Sequence, residues 1–157
     1  MMRAALLAAL ALAAPAAARE TIGVYQGWAA FREAQPLRCF ALAEPVRRSR
    51  AHPFASVTTR PAQGVRDQIA FQLSNPARAD APVTLAIDDR RFALIANGAN
   101  AWAPDARTDA AIVAAMRSAR SMSVSGVSAT GRPFADTYAL GGAATAIDAA
   151  ALACVTR

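Results

Sequence analysis

In the segment VRDQIAFQLS (65–74), Val65, Ile69, Phe71 and Leu73 share one side, and Arg66, Gln68, Gln72 and Ser74 share the other. Successive side chains of an extended chain point to opposite faces, so this pattern describes a strand with one buried and one wetted face. A helix would bring together residues three and four apart and mix the two sets. The same period recurs along the chain, and it is the strongest constraint on what the chain can fold into.

Polar, proline-bounded NPARADAP (75–82) ends that strand, and PVTLAIDDRRFALIA (82–96) reads as a hairpin. Val83, Leu85 and Ile87 point inward, an Asp-Asp-Arg-Arg turn follows, and Phe92 and Leu94 return to the same core. TIGVYQGWAAF (21–31), LRCFALA (37–43) and FASVTTR (54–60) are further strand candidates. Two segments break the pattern. PDARTDAAIVAAMRSAR (104–120) predicts a helix capped by Asp105 or Thr108, with Asp109 in its first turn and Arg117 and Arg120 at its end, signs that suit the helix dipole. Ile112, Val113 and Met116 form its apolar stripe. AATAIDAAALAC (143–154) predicts a second helix, apolar at Ile147, Ala151 and Cys154, joined through Gly141-Gly142. The expected fold is mainly β: an antiparallel β-sandwich or flattened barrel, with one helix inserted before the last hairpin and one at the C-terminus.

That last hairpin, SMSVSGVSATGRPFADTYALGG (121–142), gathers hydroxyls and a carboxylate in a way that resembles an active site. Setting Met122 opposite Leu140, Val124 opposite Tyr138 and Gly126 opposite Asp136 keeps the apolar face intact, with Thr130-Gly131-Arg132 as a three-residue loop. A slip of one residue would turn every side chain to the wrong face. In this register Gly126 leaves room for Asp136, whose carboxylate accepts bonds from backbone or hydroxyl donors. A hydrolytic triad would also need a histidine, and His52 is the only one in the chain. GVSAT lacks the second glycine of a nucleophile elbow.

MMRAALLAALALAAPAAARE opens the chain with a basic Arg3, an apolar run from Ala4 to Ala14, and small residues Ala16 to Ala18. That layout is a secretory signal peptide over 1–18, cleaved after Ala18, leaving a single β-rich domain over 19–157. The apolar run is far short of the ~20 residues a membrane span requires. The expected location is therefore periplasmic or secreted, with no spanning segment. Two cysteines, Cys39 and Cys154, in an oxidising compartment read as one disulfide. The rival is a nucleophilic Cys39 activated by His52, but no C-x-x-C motif is present to support it.

Every basic residue is arginine, and removal of Arg3 lowers the formal charge from +6 to +5. Such an excess favours anionic surfaces. The densest patch, Arg47, Arg48, Arg50 and His52 in PVRRSRAHP (45–53), has no interleaved aromatics on which bases would stack, so nucleic acid is not an expected partner. It is a candidate anion-binding or partner surface. Asp88-Asp89 lacks the spaced oxygens of a calcium loop, and one histidine with two bonded cysteines does not make a zinc site, so neither metal nor cofactor is expected. Trp102 reads as a core or cleft-wall aromatic.

CFALAEP (39–45), TTRPAQGVRDQIAF (58–71), NGANAWAP (97–104), the run 110–142 and the late Cys154 follow one another in an order and spacing that resemble the invasion-associated locus B family. Ala99 and Ala139 depart from its pattern. The resemblance implies an exported, β-rich protein linked to the bacterial envelope and, in some pathogens, to host-cell invasion. It carries no agreed reaction and no catalytic residues. The function expected from the sequence is a non-enzymatic envelope or periplasmic protein that meets an envelope or host-surface protein partner. The competing expectations are a small periplasmic hydrolase using Asp136, or a small-molecule carrier with a site beside Trp102.

Overall fold

The computed structural model describes residues 19–155; the signal peptide read over 1–18 lies outside the described residues. The chain opens with β1 (Arg19–Tyr25), β2 (Trp28–Ala34), β3 (Leu37–Ala43), β4 (Phe54–Arg60) and β5 (Val65–Gln72). It continues with β6 (Val83–Ile87), β7 (Arg90–Asn97) and β8 (Asn100–Trp102), then α1 (Ala106–Met116). The hairpin β9 (Ser121–Val127) and β10 (Pro133–Ala139) follows, and α2 (Ala143–Ala153) closes the fold. All neighbouring strands are antiparallel, in one sheet of order β1-β2-β3-β4-β5-β8-β7-β6-β9-β10. The fold is thus mainly β, with a helix before the last hairpin and another at the C-terminal end.

The ladder is open, yet its far end returns to its beginning. The buried Trp28 on β2 donates its indole N–H to the Ala139 carbonyl on β10 at 2.9 Å. Phe71 on β5 faces Tyr138 on β10, with ring centroids 6.1 Å apart. Between these layers lies the core: Trp28, Ala41, Val57, Ile69 and Phe71 from one half, Leu85, Ile87, Met122, Val124 and Tyr138 from the other. Alternation explains the selection, since β6 is buried at every second residue.

The strands at 37–43 and 54–60 match the sequence pattern, but three details differ. The candidate at 21–31 is a hairpin, broken at Gln26-Gly27, with Gln26 in the left-handed region at φ 54°. The turn in 82–96 shrinks to Asp88-Asp89, because Ile87 already pairs with Arg90. In β5 the register shifts between Thr58 and Arg60, next to Asp67 at φ 51°, and Val65 leaves the buried row of Ile69, Phe71 and Leu73. One added residue resets a period of two.

Asp105 caps α1 by accepting the Thr108 backbone N–H at 2.7 Å. This bond holds the Asp105 carboxyl below its usual pKa. Arg117 grips Asp148 of α2 through two hydrogen bonds, 2.7 and 3.1 Å. That helix lies across β1 to β4. It buries Ala143, Ala146, Ile147 and Ala150, so Ala150 takes the place expected for Ala151. Small residues on the helix meet small residues on the strands (Ala30, Ala41), which lets the two approach closely. At the joint, Gly142 has φ 83°, and a Cβ there would collide with the Tyr25 carbonyl oxygen. A disulfide between Cys39 and Cys154, Cα atoms 5.8 Å apart, ties the end of α2 to β3.

Candidate functional site

The loop between β3 and β4 carries the arginine-rich patch. Its ends are sunk into the protein by buried Pro45 and Pro53, while every residue from Val46 to His52 is exposed. The Val46 N–H donates to the Thr137 carbonyl on β10 at 2.8 Å, and the His52 N–H closes a turn onto the Ser49 carbonyl at 3.1 Å. His52 itself adopts φ 48°.

That conformation divides the patch. Arg47 and Arg50 line a groove of about 580 Å³ with Ser74, Asn75 and the β10 residues Pro133 to Thr137. Arg48 and His52 line a smaller hollow of about 140 Å³ with Glu44, Pro45, Ser49 and Pro53. Arg48 is paired with Glu44 at 3.4 Å. Sequence adjacency suggested one cationic cluster; the fold makes two surfaces, only one of them with unpaired arginines among the described residues.

The crowded hairpin resolves differently from the expected register. Gly126 stands opposite Phe134, Val124 opposite Asp136, and Met122 opposite Tyr138. This is two residues from the expected pairing, so the faces are right and the partners are wrong. The loop is Ala129-Thr130-Gly131, closed by the Ser128 N–H on the Arg132 carbonyl at 2.8 Å. Gly131, at φ 81°, fills its third position, where a three-residue hairpin loop needs a left-handed residue. The space above Gly126 belongs to Phe134, whose ring lies 3.2 Å from where a Cβ would sit.

Asp136 is 5 % exposed and turned inward, and its Oδ2 accepts the Ser74 backbone N–H at 2.8 Å. Ser123 and Thr137 bond each other at 3.1 Å on the exposed side of the hairpin. Carboxylate and hydroxyls therefore diverge across the sheet, and His52 lines a different hollow. Among the described residues, no three histidine, cysteine, aspartate or glutamate side chains converge as a metal site would require. Trp102 on β8 is half-buried, opposite Ala70 and Ile95.

Two polar groups escaped sequence reasoning. Asp109, expected only to complement the helix dipole, is buried, and its Oδ1 accepts the Ile69 N–H of β5 at 2.9 Å. Burial raises its pKa, the Ile69 bond opposes this, and Asp105 and Asp67 add repulsion. On the outer face of the sheet, Glu33 accepts from Arg38 and from Arg19. Both guanidinium groups stand 5.3 Å from the Phe40 ring centroid. The Arg38 bond leads in holding the Glu33 carboxyl below its usual range. Neither arrangement has a local signature, since the partners come from different elements of the fold.

An open antiparallel sheet, sealed by an alanine-faced helix and one disulfide, with its buried carboxylates bonded to backbone amides, defines a mainly β protein built on one sheet, with an arginine-bearing surface loop. The chain belongs to the invasion associated locus B (IalB) protein family, whose model matches residues 28–151. The fold is similar to that of invasion associated protein B from Bartonella henselae in its crystal structure, with TM-score 0.63 and 19 % identity over 85 % of this chain and 98 % of that one. No curated protein sequence matches the chain.

Proposed function

We propose that the protein is exported to the bacterial periplasm or beyond, is not an enzyme, and works through contacts with another protein or an anionic surface. Family membership and the Cys39–Cys154 disulfide support export, because such bonds persist in oxidising compartments. No helix among the described residues is long and apolar enough to cross a membrane. The observation that carries the non-enzymatic reading is the inward placement of the Asp136 carboxylate on the Ser74 amide, away from the Ser123 and Thr137 hydroxyls and from the hollow of His52. A general base must reach the proton it removes, and this carboxylate is already committed to the backbone. The exposed loop 46–52 is the surface offered to a partner.

The test is fractionation of the native host followed by crosslinking of the protein in its own envelope. The expected result is a mature chain starting near Arg19 in the periplasmic or secreted fraction, crosslinked through loop 46–52. An intact Met1 in the soluble cytoplasm, or a hydrolytic activity lost in Asp136→Asn at unchanged stability, would overturn the reading.

A further inference from the structure

β10 is an end strand of the sheet, and part of its outer edge is unoccupied. The Leu140 N–H donates to the Arg120 carbonyl in line with the β9 pairing, so even-numbered residues of β10 direct their backbone groups to β9. Odd-numbered residues direct theirs outward. At the C-terminal end these outward carbonyls are taken: Thr137 by the Val46 N–H and Ala139 by Trp28. Further back, the N–H and C=O of Ala135 and the C=O of Pro133 have no partner among the described residues. They open into the groove bordered by Arg47 and Arg50. Among the described residues its one acidic lining residue is Asp136, inward and bonded to Ser74.

From this juxtaposition we infer that the β10 edge binds an extended acidic peptide segment of a partner protein, which adds a short strand along Pro133–Thr137 and places carboxylates on Arg47 and Arg50. Two physical requirements meet here. An incoming strand needs free outward N–H and C=O groups, and Ala135 supplies both. A partner also needs charge complementary to the groove, and two exposed arginines with no ion-pair partner among the described residues select carboxylates. Pro133 and the Val46 cover limit the pairing to a few residues, which makes the site a docking edge for a peptide and guards it against unlimited sheet growth. The inference rests on the surface-contact reading above and specifies its partner.

The experiment titrates a fluorescein-labelled heptapeptide of alternating valine and glutamate against the disulfide-intact mature protein, followed by anisotropy. A second peptide of the same sequence is N-methylated at alternate residues, which keeps charge and removes strand donors. Binding of the first should exceed that of the second by about tenfold or more, as loss of backbone pairing predicts. Arg47→Ala/Arg50→Ala should weaken the first by a similar factor. Ala135→Pro removes one outward N–H that β9 does not use, and should abolish the preference between the two peptides while leaving the melting temperature near wild type. Equal binding of the two peptides to the wild-type protein would overturn the inference, even if Ala135→Pro failed to fold. In that case, crosslinking of envelope partners through loop 46–52 would still stand as support for the broader reading, so the two failures are distinguishable.

Discussion

The Asp136 carboxylate on β10 holds the backbone N–H of Ser74, just beyond β5, at 2.8 Å. These strands are far apart in the sheet order, so the bond ties one end of the curled sheet to its middle. Removing the carboxylate leaves a partly buried amide without an acceptor. Asp136→Ala should destabilise the fold by about 1–3 kcal/mol. Asp136→Asn should cost less, because its amide oxygen can still accept. Thermal and denaturant melts check both, and wild-type stability for the alanine variant would remove this structural role.

Gly126→Val should also destabilise, through Phe134 and Val83, whose side chains stand 3.2 and 3.3 Å from the point a Cβ would occupy. Overpacking of this kind costs about 1–3 kcal/mol. Pairing Gly126→Val with Phe134→Ala should recover part of the loss, whereas pairing it with Asp136→Asn should not. A double-mutant cycle on melting free energies reads the difference.

Tyr138 is fully buried, and its hydroxyl has no hydrogen-bond partner among the described residues. Burial, then the nearby Asp136 charge, raise the phenol's pKa, so the group stays neutral across the physiological range. Tyr138→Phe keeps the ring against Phe71 and removes an unsatisfied polar atom. Its melting free energy should stay within about 1 kcal/mol of wild type or rise. A larger loss would reveal a partner such as a buried water.

Asp109 gives stability an opposite pH trend to Glu33 and Asp148. Its folded pKa is raised, so the folded chain binds that proton more tightly than the unfolded chain, and this contribution to stability declines as pH rises above the ordinary aspartate range. Glu33 and Asp148 have lowered values, and what they contribute is lost as pH falls through the acid range. Asp109→Asn should therefore look less damaging at pH 7 than at pH 4. A penalty that grows with pH would contradict the assignment.

The Cys39–Cys154 bond closes a loop across a sequence separation of 115 residues. Cys39→Ser/Cys154→Ser should cost about 2–5 kcal/mol. Non-reduced mass spectrometry of the exported protein should show the two-hydrogen loss, and two free thiols in that material would count against the bond.

Much of the fold was legible locally. Period-two alternation marked β5 and β6 because which side of a strand is apolar is written in the strand itself, whereas β3 and β4, each with three consecutive buried residues, were legible only as strand candidates. The Asp105 cap and its helix were legible for the same reason, the donor and acceptor being three residues apart. The hairpin β9–β10 shows where such reading stops. A shift of two residues preserves every face, so alternation could not separate Gly126 opposite Asp136 from Gly126 opposite Phe134. The left-handed demand at the third loop position, met by Gly131, and the packing of Phe134 over Gly126 decided it.

By itself the sequence determined which residues seek burial, where the chain must turn helical, and which family pattern it carries. Tertiary structure decided what each polar group does. Asp109 and Asp136 became acceptors for amides 40 and 62 residues away along the chain. Arg47 and Arg50 were parted from Arg48 and His52 by a turn anchored on β10. A carboxylate or guanidinium has the same affinity for water and for opposite charge wherever it sits. Only the approach of other groups in the folded chain, backbone or side chain, selects the partner that it finally keeps.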